Sequence, residues 1–547
     1  MAMQTATQVA EAELSVYPAL QRQPLLWGDS FGWVHHAPAS PASDVAVVIC
    51  PGVGRDSSTG YRPARFLADQ LARAGYTAIR FSYPGTGDSR DPAEENCWPA
   101  WVESVQSAVD TALTIAGVRR VVLVGVRLGA ALAVLAASLR EQVVGLVLLE
   151  PVVRGSSFVT QLRMEEKISA GPAAVDHDGV RIHGLQLTTQ ALAGIASLDL
   201  RSIKLKPKCQ VLVLSDTASA ALRGCEESWS LQGADVVHEN PDGMSAFFRP
   251  THLADEEFPD VQGLKDWLQA RFPVAGRAAP LLRSHGEFAV DGPGWTETPH
   301  FLGIDQHLFG ILCEPKGPAV CDTVVIIGNS GGDPHDGFAR FTVDLARHLA
   351  RHGVASLRMD FAGLGDSINA SDDSDGLTHP FTVDRTPDFA AAVDFVWAKG
   401  FRNIAVQGLC SGAYHALQAA VFESRVNILL CVSLPWFSLR YERPGPASFA
   451  QRACADLEAR QVRCLLLFAE DDAGLKPLEQ HFGPRGRELS ARAGFDVVIR
   501  PDIDHDLTRP EMRRIATDQM MMLLRQETVC AGPSTPRVRH LIKEGVL

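Results

Sequence analysis

The feature that most narrows what this chain can fold into is that it resembles itself. Residues 71–89 read LARAGYTAIRFSYPGTGDS and residues 349–367 read LARHGVASLRMDFAGLGDS. Gly75 matches Gly353, Gly85 matches Gly363 and Asp88 matches Asp366, all at an offset of 278. The likeness runs on in both directions. Apolar runs at 45–50 and 324–327 each lead into a glycine-containing loop, and VVLVGVRLGAAL at 121 pairs with IAVQGLCSGAYHAL at 404. VVGLVLLEP ending at Pro151 resembles NILLCVSLP ending at Pro435, and each half opens on two short strand-like runs, at 25 and at 303. A period near 280 is far too long for a solenoid, and 547 residues are too many for one core. The sequence therefore predicts a duplication. Within each half, short apolar runs alternate with amphipathic stretches, the pattern of an α/β fold with a mostly parallel sheet covered on both faces. The expected boundaries are 20–275 for the first domain, 276–300 for a Pro- and Gly-rich linker, 301–527 for the second domain and 528–547 for a tail.

Composition removes several alternatives. A net charge of −13 argues against a general nucleic-acid binder. Eleven cysteines, scattered and without a CxxC pair or zinc spacing, read as reduced thiols and no metal site. The first residues lack a basic-then-apolar leader. The apolar stretch 121–138 carries Arg127 at its middle and glycines on either side, which suits a strand, a tight turn and a helix better than a membrane span. These features give the expectation of a cytoplasmic protein with no membrane segment.

Gly408-Leu409-Cys410-Ser411-Gly412 follows an apolar strand and precedes a helical pattern, the setting of a nucleophile elbow. The symmetric glycines let strand and helix approach while the central residue is strained and exposed, which selects Cys410 as nucleophile over Ser411. Ser411 would lend its backbone N–H to an oxyanion hole, and the helix N-terminus should favour thiolate over thiol. A small buried filler is the plainer role for a free cysteine, so the partners matter. An acid should follow a later strand and a histidine a still later one. CLLLFAEDDAG ends in an acidic turn whose frame points to Asp472, with Asp471 as competitor, and His505 follows in the loop of FDVVIRPDIDHDL. His505 would take the thiol proton while Asp472 fixes its tautomer. The second oxyanion donor would be the backbone N–H of Asn329 or Ser330 in the loop GNSGGDPHDG. His335 and Asp336 of that loop read as a solvated turn.

The first half keeps the elbow glycines in Gly125-Val126-Arg127-Leu128-Gly129 but puts an arginine, which cannot attack a carbonyl, at the nucleophile position. Ala218 stands at the acid frame and Met244 near the histidine position. This half reads as pseudo-catalytic. Arg127 would either grip an anion or, more simply, reach a surface acid or carbonyl.

These motifs resemble the α/β-hydrolase superfamily and, within it, the exosortase-A-associated hydrolases. The second half is similar to that family through LARHLARHG, FAGLGDS, GLCSG and LPWFSLR, over most of residues 301–525. The first half matches the same landmarks without the nucleophile. The resemblance implies two tandem α/β-hydrolase domains, each with a small cap insertion. The caps would fall at about 154–205 and 441–461. The elbow also resembles those of dienelactone hydrolase and polyhydroxyalkanoate synthase, which implies lactones and thioesters as substrates.

A cysteine nucleophile exchanges one thioester for another nearly isoenergetically. The reading is thus acyl transfer or hydrolysis through a Cys410 thioester, on an ester, thioester or lactone donor. That donor would be a small molecule, free or linked to CoA or a carrier protein. Two other readings remain: a scaffold of two pseudo-hydrolase domains, and a C–C bond lyase on the same fold. No phosphate-binding glycine loop occurs in the right setting, so no cofactor is implied.

Overall fold

Runs such as VAVVIC, VVLVGV, TVVII and RCLLLFA are apolar on both faces, so they can only be interior strands of a sheet covered twice. The computed structural model describes residues 20–525 apart from 38–41, 171–177, 217–218, 241–246, 250–260, 275–288, 318–321, 369–382 and 438–447. Strands β1 (Gln21–Trp27), β2 (Ser30–His36), β3 (Val45–Cys50), β4 (Ala78–Phe81), β5 (Arg120–Val126) and β6 (Val143–Leu149) are followed by β7 (Val180–Ile182) and β8 (Leu185–Leu187), then β9 (Gln210–Leu214) and β10 (Asp235–Glu239). All but β7 and β8, which pair as a separate hairpin, form one sheet in the order β1-β2-β4-β3-β5-β6-β9-β10. The second half contributes β11 (Val290–Gly292), β12 (Trp295–Leu302), β13 (Leu308–Pro315), β14 (Thr323–Ile327), β15 (Ala355–Met359), β16 (Asn403–Leu409), β17 (Val426–Val432), β18 (Arg463–Ala469) and β19 (Phe495–Arg500). Their order is β11-β12-β13-β15-β14-β16-β17-β18-β19. Apart from the extra β11, the second sheet repeats the first strand for strand.

In both sheets the opening strands are antiparallel and the rest parallel. Register is set by alternation. Ala46, Val48 and Cys50 of β3 pack with helices Cys97–Ala116 and Leu128–Leu139. Val45, Val47 and Ile49 pack on the other face with Arg55–Arg73 and Gln262–Arg271. In the second half Val324 and Ile326 meet Thr386–Ala398 and Ser411–Phe422, while Val325 and Ile327 meet Phe341–Arg351 and Pro510–Arg525.

The two halves dock through matching surfaces. Arg80 of β4 pairs with Asp366, and Arg358 of β15, 278 positions on, pairs with Asp88 at 2.5 Å. Each turn is pinned in its own half, Phe31 N–H to Ser89 Oγ at 2.9 Å and Phe309 N–H to Ser367 Oγ at 2.8 Å. Each turn is also gripped from the other side. Arg65 donates to the carbonyls of Gly365 and Ser367, and Arg340 donates to those of Gly87 and Ser89, both at 2.8 Å. In the two ion pairs residue i contacts j and the counterpart of j contacts that of i, the relation of a two-fold interface, whereas Arg65 and Arg340 grip the turns from positions that do not correspond. Glu297 joins Arg347 and Arg358 at 2.8 and 2.6 Å, and the ring of Trp33 lies 4.7 Å from Phe309.

Three details amend or complete the sequence reading. β11 and β12 occupy part of the expected 276–300 linker: Gly292-Pro293-Gly294 lies in the turn of a hairpin, so the second sheet begins by Val290. The stretch 121–138 is a strand, a one-residue reversal and a helix, and no described helix is long and apolar enough to cross a membrane. The first-half insertion holds helix Gly155–Ala170, hairpin β7–β8 and helix Thr189–Ala196, and the shorter second one holds helix Phe449–Ala459. Residues 276–288, 441–447, 528–547, Ala218 and Met244 lie outside the described residues.

Removing one member of a buried ion pair strands its partner. Arg358→Met should therefore lower the unfolding free energy by about 3–5 kcal/mol in urea titrations. An unchanged midpoint would mean that Asp88 and Glu297 find other donors.

Candidate active site

β16 ends at Leu409 and a helix begins at Ser411, so the chain reverses within one residue. Cys410 does this at φ 53°, ψ −119°, a conformation that strains any side-chain-bearing residue by about 1–3 kcal/mol. The flanking glycines make room. A Cβ on Gly408 would lie 2.0 Å from the Gly412 carbonyl carbon, and one on Gly412 would lie 2.5 Å from the Asn329 oxygen. Cys410 N–H donates to Val432 O at 3.0 Å, tying the reversal to β17. The half-buried thiol sits at the N-terminus of helix Ser411–Phe422, where backbone N–H groups favour negative charge.

His505 lies between β19 and helix Pro510–Arg525, and its Nδ1 is 3.3 Å from Asp472 Oδ2. The Cys410 thiol is its other polar neighbour. The Asp472 and Cys410 contacts, working against burial, push the imidazole up to about 10. Asp472 follows β18 with its carboxylate shut away from solvent and accepts the Gly474 N–H at 2.9 Å, whereas Asp471 is exposed. Burial pushes the Asp472 carboxyl up, but hydrogen bonds from His505 and Gly474, with the Ser433 hydroxyl beside them, hold it below the usual carboxylate range. The Ser433 hydroxyl donates to the His505 carbonyl at 3.0 Å.

Ser433 is a site residue that pattern reading missed. It ends β17 at φ 52°, and its structural counterpart is Glu150, at φ 43° after β6. Aligning Pro151 with Pro435 placed Glu150 one residue off. In the first half Glu150 instead accepts the Ser215 hydroxyl at 3.1 Å and the Asp216 N–H at 2.7 Å.

The loop holding Asn329 and Ser330 packs directly on the elbow. Ser411 Oγ accepts the Gly331 N–H at 2.7 Å, and Ser411, as first helical residue, has no intrahelical acceptor for its own N–H. Asn329 is buried with its amide turned inward, donating to Asp333 O at 2.9 Å and Asp360 Oδ1 at 2.8 Å and accepting the Phe361 N–H at 2.6 Å. Ser330 is half-buried beside it. His335 is not in a solvated turn as expected: only 2% exposed, it lies against the first half, which covers the loop. Asp336 is half-buried.

Arg127 takes nearly the same backbone pose as Cys410, φ 54°, ψ −114°, and its N–H bonds Leu149 O at 2.9 Å. Its Nε lies 3.5 Å from Asp56 and its Nη2 donates to Gln161 at 3.2 Å, so it reaches an acid of its own half.

These two sheets and their elbows constitute α/β-hydrolase folds. The family model described as "Alpha/beta hydrolase family" matches residues 47–202, within the first half. Similar solved structures include a cold-adapted esterase from an Arctic intertidal metagenomic library, 18% identical over 43% of this chain and 96% of that one, with a TM-score of 0.29. A serine hydrolase homologue from Coxiella burnetii is 18% identical over 45% and 99%, TM-score 0.29. Dienelactone hydrolase from Anabaena variabilis is 16% identical over 40% and 91%, TM-score 0.30. No curated protein matches the chain.

Gly412→Ala should destabilise the protein by about 1–3 kcal/mol through overpacking against Asn329, outweighing the roughly 1 kcal/mol that alanine gains in a helix. A raised thermal midpoint would refute the close approach.

Proposed function

We propose that the second half is an acyl hydrolase or acyltransferase that works through a thioester on Cys410. One observation carries this reading: a single imidazole, His505, bonds the buried Asp472 and has the elbow thiol as its other polar neighbour. Asp472, working with Cys410 against burial, holds the His505 imidazole up to about 10, so it is a strong base for the elbow thiol's proton. His505 takes the thiol proton and Asp472 fixes its orientation, and sulfur needs less help from such a base than a hydroxyl does.

The thiolate attacks the acyl carbon, forming a C–S bond and moving the carbonyl electron pair onto oxygen. Ser411 N–H and a backbone N–H of Asn329 or Ser330 receive that oxyanion. Collapse expels the alcohol, thiol or lactone oxygen, which takes the His505 proton. Neutral His505 then deprotonates water or an acceptor, whose attack releases the acyl group and restores the pair.

The same strand order, the common offset and the matching elbow poses support a duplication in which the first half lost its nucleophile. The motifs LARHLARHG, FAGLGDS and GLCSG support kinship with exosortase-A-associated hydrolases. A small acyl donor, free or carried by CoA or a carrier protein, in the cytoplasm completes the proposal.

Intact mass after brief exposure to an activated ester and to acyl-CoAs should show one acyl adduct in wild type and none in Cys410→Ala. No adduct and no turnover in either would favour a binding scaffold. A second expectation concerns pH. Since folding raises the His505 pKa, its pairing is complete below about 6.5 and lost as pH rises through about 10. Activity should fall on that alkaline limb. Asp472→Asn removes the largest raising contribution and should move the limb toward neutrality; an unmoved limb would place the titration elsewhere.

A further inference from the structure

Asp88, His335, Asp360 and Asp366 form a buried cluster where the halves meet. Ligating atoms of His335, Asp360 and Asp366 lie within 4.8 Å of one another, a spacing that could suit a cation. The bonding argues otherwise. His335 Nδ1 is 2.6 Å from Asp360 Oδ2 and Nε2 is 2.8 Å from Asp88 Oδ2, so both nitrogens face carboxylates. Arg358 pairs with Asp88, and Arg80 and Tyr61 bond Asp366. Burial would push His335 down, but the two carboxylates hold it well above the usual imidazole range. The cluster is an imidazolium clamped between two acids, one from each half.

Its position says what the clamp holds. Asp360 Oδ1 accepts the Asn329 amide at 2.8 Å and the His335 N–H at 2.7 Å, fixing both ends of the loop that packs on the Cys410 elbow. The Arg–Asp exchange is reciprocal, but this relay is one-sided. The residues 278 positions before Asn329, His335 and Asp360 are Pro51, Ser57 and Ser82, none of which can repeat it. Only the half with the cysteine has the relay, and only the half without it supplies Asp88.

We propose that the first half contributes a positioning residue to the second: Asp88 fixes His335 and thereby the 328–335 loop that completes the oxyanion hole beside Cys410. This rests on the Cys410 reading above.

The test compares two reactions of the same thiol in the full-length chain. Acylation by an activated ester passes through an oxyanion; alkylation by iodoacetamide, which forms a C–S bond and expels iodide, does not. Asp88→Asn should slow acylation by about 10- to 100-fold, short of the 100- to 1000-fold for a lost donor, while alkylation keeps its wild-type rate. Arg80→Lys keeps a cation against Asp366 and leaves His335 its two carboxylates, and should change neither rate. Wild-type acylation in Asp88→Asn, or equal slowing in Arg80→Lys, would overturn the proposal and leave the Cys410 reading standing. Slowing of both acylation and alkylation in Asp88→Asn would also overturn it, as a general structural defect. No adduct even in wild type would remove the Cys410 reading and this inference together. If Asp88→Asn does not accumulate as folded protein, Asp88→Glu, which keeps the charge but misplaces the carboxylate, is judged by the same outcomes.

Discussion

Two arginine–aspartate pairs, exchanged between the halves and buried, govern how everything else is placed. Charges removed from water are tolerated only when each is paired and hydrogen-bonded, and the net stability of such pairs is small. Their effect is therefore mainly on specificity. Arg80 and Arg358 lie on corresponding strands, and Asp366 and Asp88 on corresponding turns, so one docking arrangement satisfies all four. Any other would leave buried charges exposed to each other without partners. The apolar contacts around Trp33 and Phe309 add area to a position the ion pairs define.

The two elbows separate backbone geometry from chemistry. Arg127 and Cys410 share a strained conformation to within a few degrees although only one can be a nucleophile. The strain thus belongs to the crossing of a buried strand and a buried helix, enforced by glycines whose Cβ atoms would collide with backbone on either side. What distinguishes the halves is what stands around the elbow. Around Cys410 are a histidine, a buried acid and a serine; around Arg127 are Asp56, Gln161 and Glu150.

The mostly parallel sheets, the elbow and the Asp472–His505 pairing were legible in sequence because each depends on local rhythm: an apolar run, its turn, and the chain order of the turns. Three features were not. The Gly-Pro-Gly segment at 292–294 has linker composition, yet it turns a hairpin, and Pro299 in β12 lies beyond the residues that β11 pairs. Ser433 gives no signal of its own, since a serine after an apolar run is ordinary until its positive φ is seen. His335 and Asp336 look like a surface turn because what encloses His335 is distant in sequence: Phe309 and Asp360 in its own half and Asp88 in the other, which no local pattern reports.

The reciprocal seam also bears on how the molecule can move. Ion pairs and arginine–carbonyl bonds on both sides of a two-fold relation resist a swing of one half against the other, which would pull buried charges from their partners. Breathing of the two halves as a clamshell is thereby disfavoured, and the motion that admits a ligand falls to smaller parts. Hairpin β7–β8 of the first half is placed for this, with Arg181 3.8 Å from Glu511 and the His183 ring 6.2 Å from that of Phe338, beside the loops that carry His505 and His335. Gly184 in its turn packs on the Ala339 backbone, where a Cβ would lie 2.8 Å away, so this contact is made by close approach and not by buried charge.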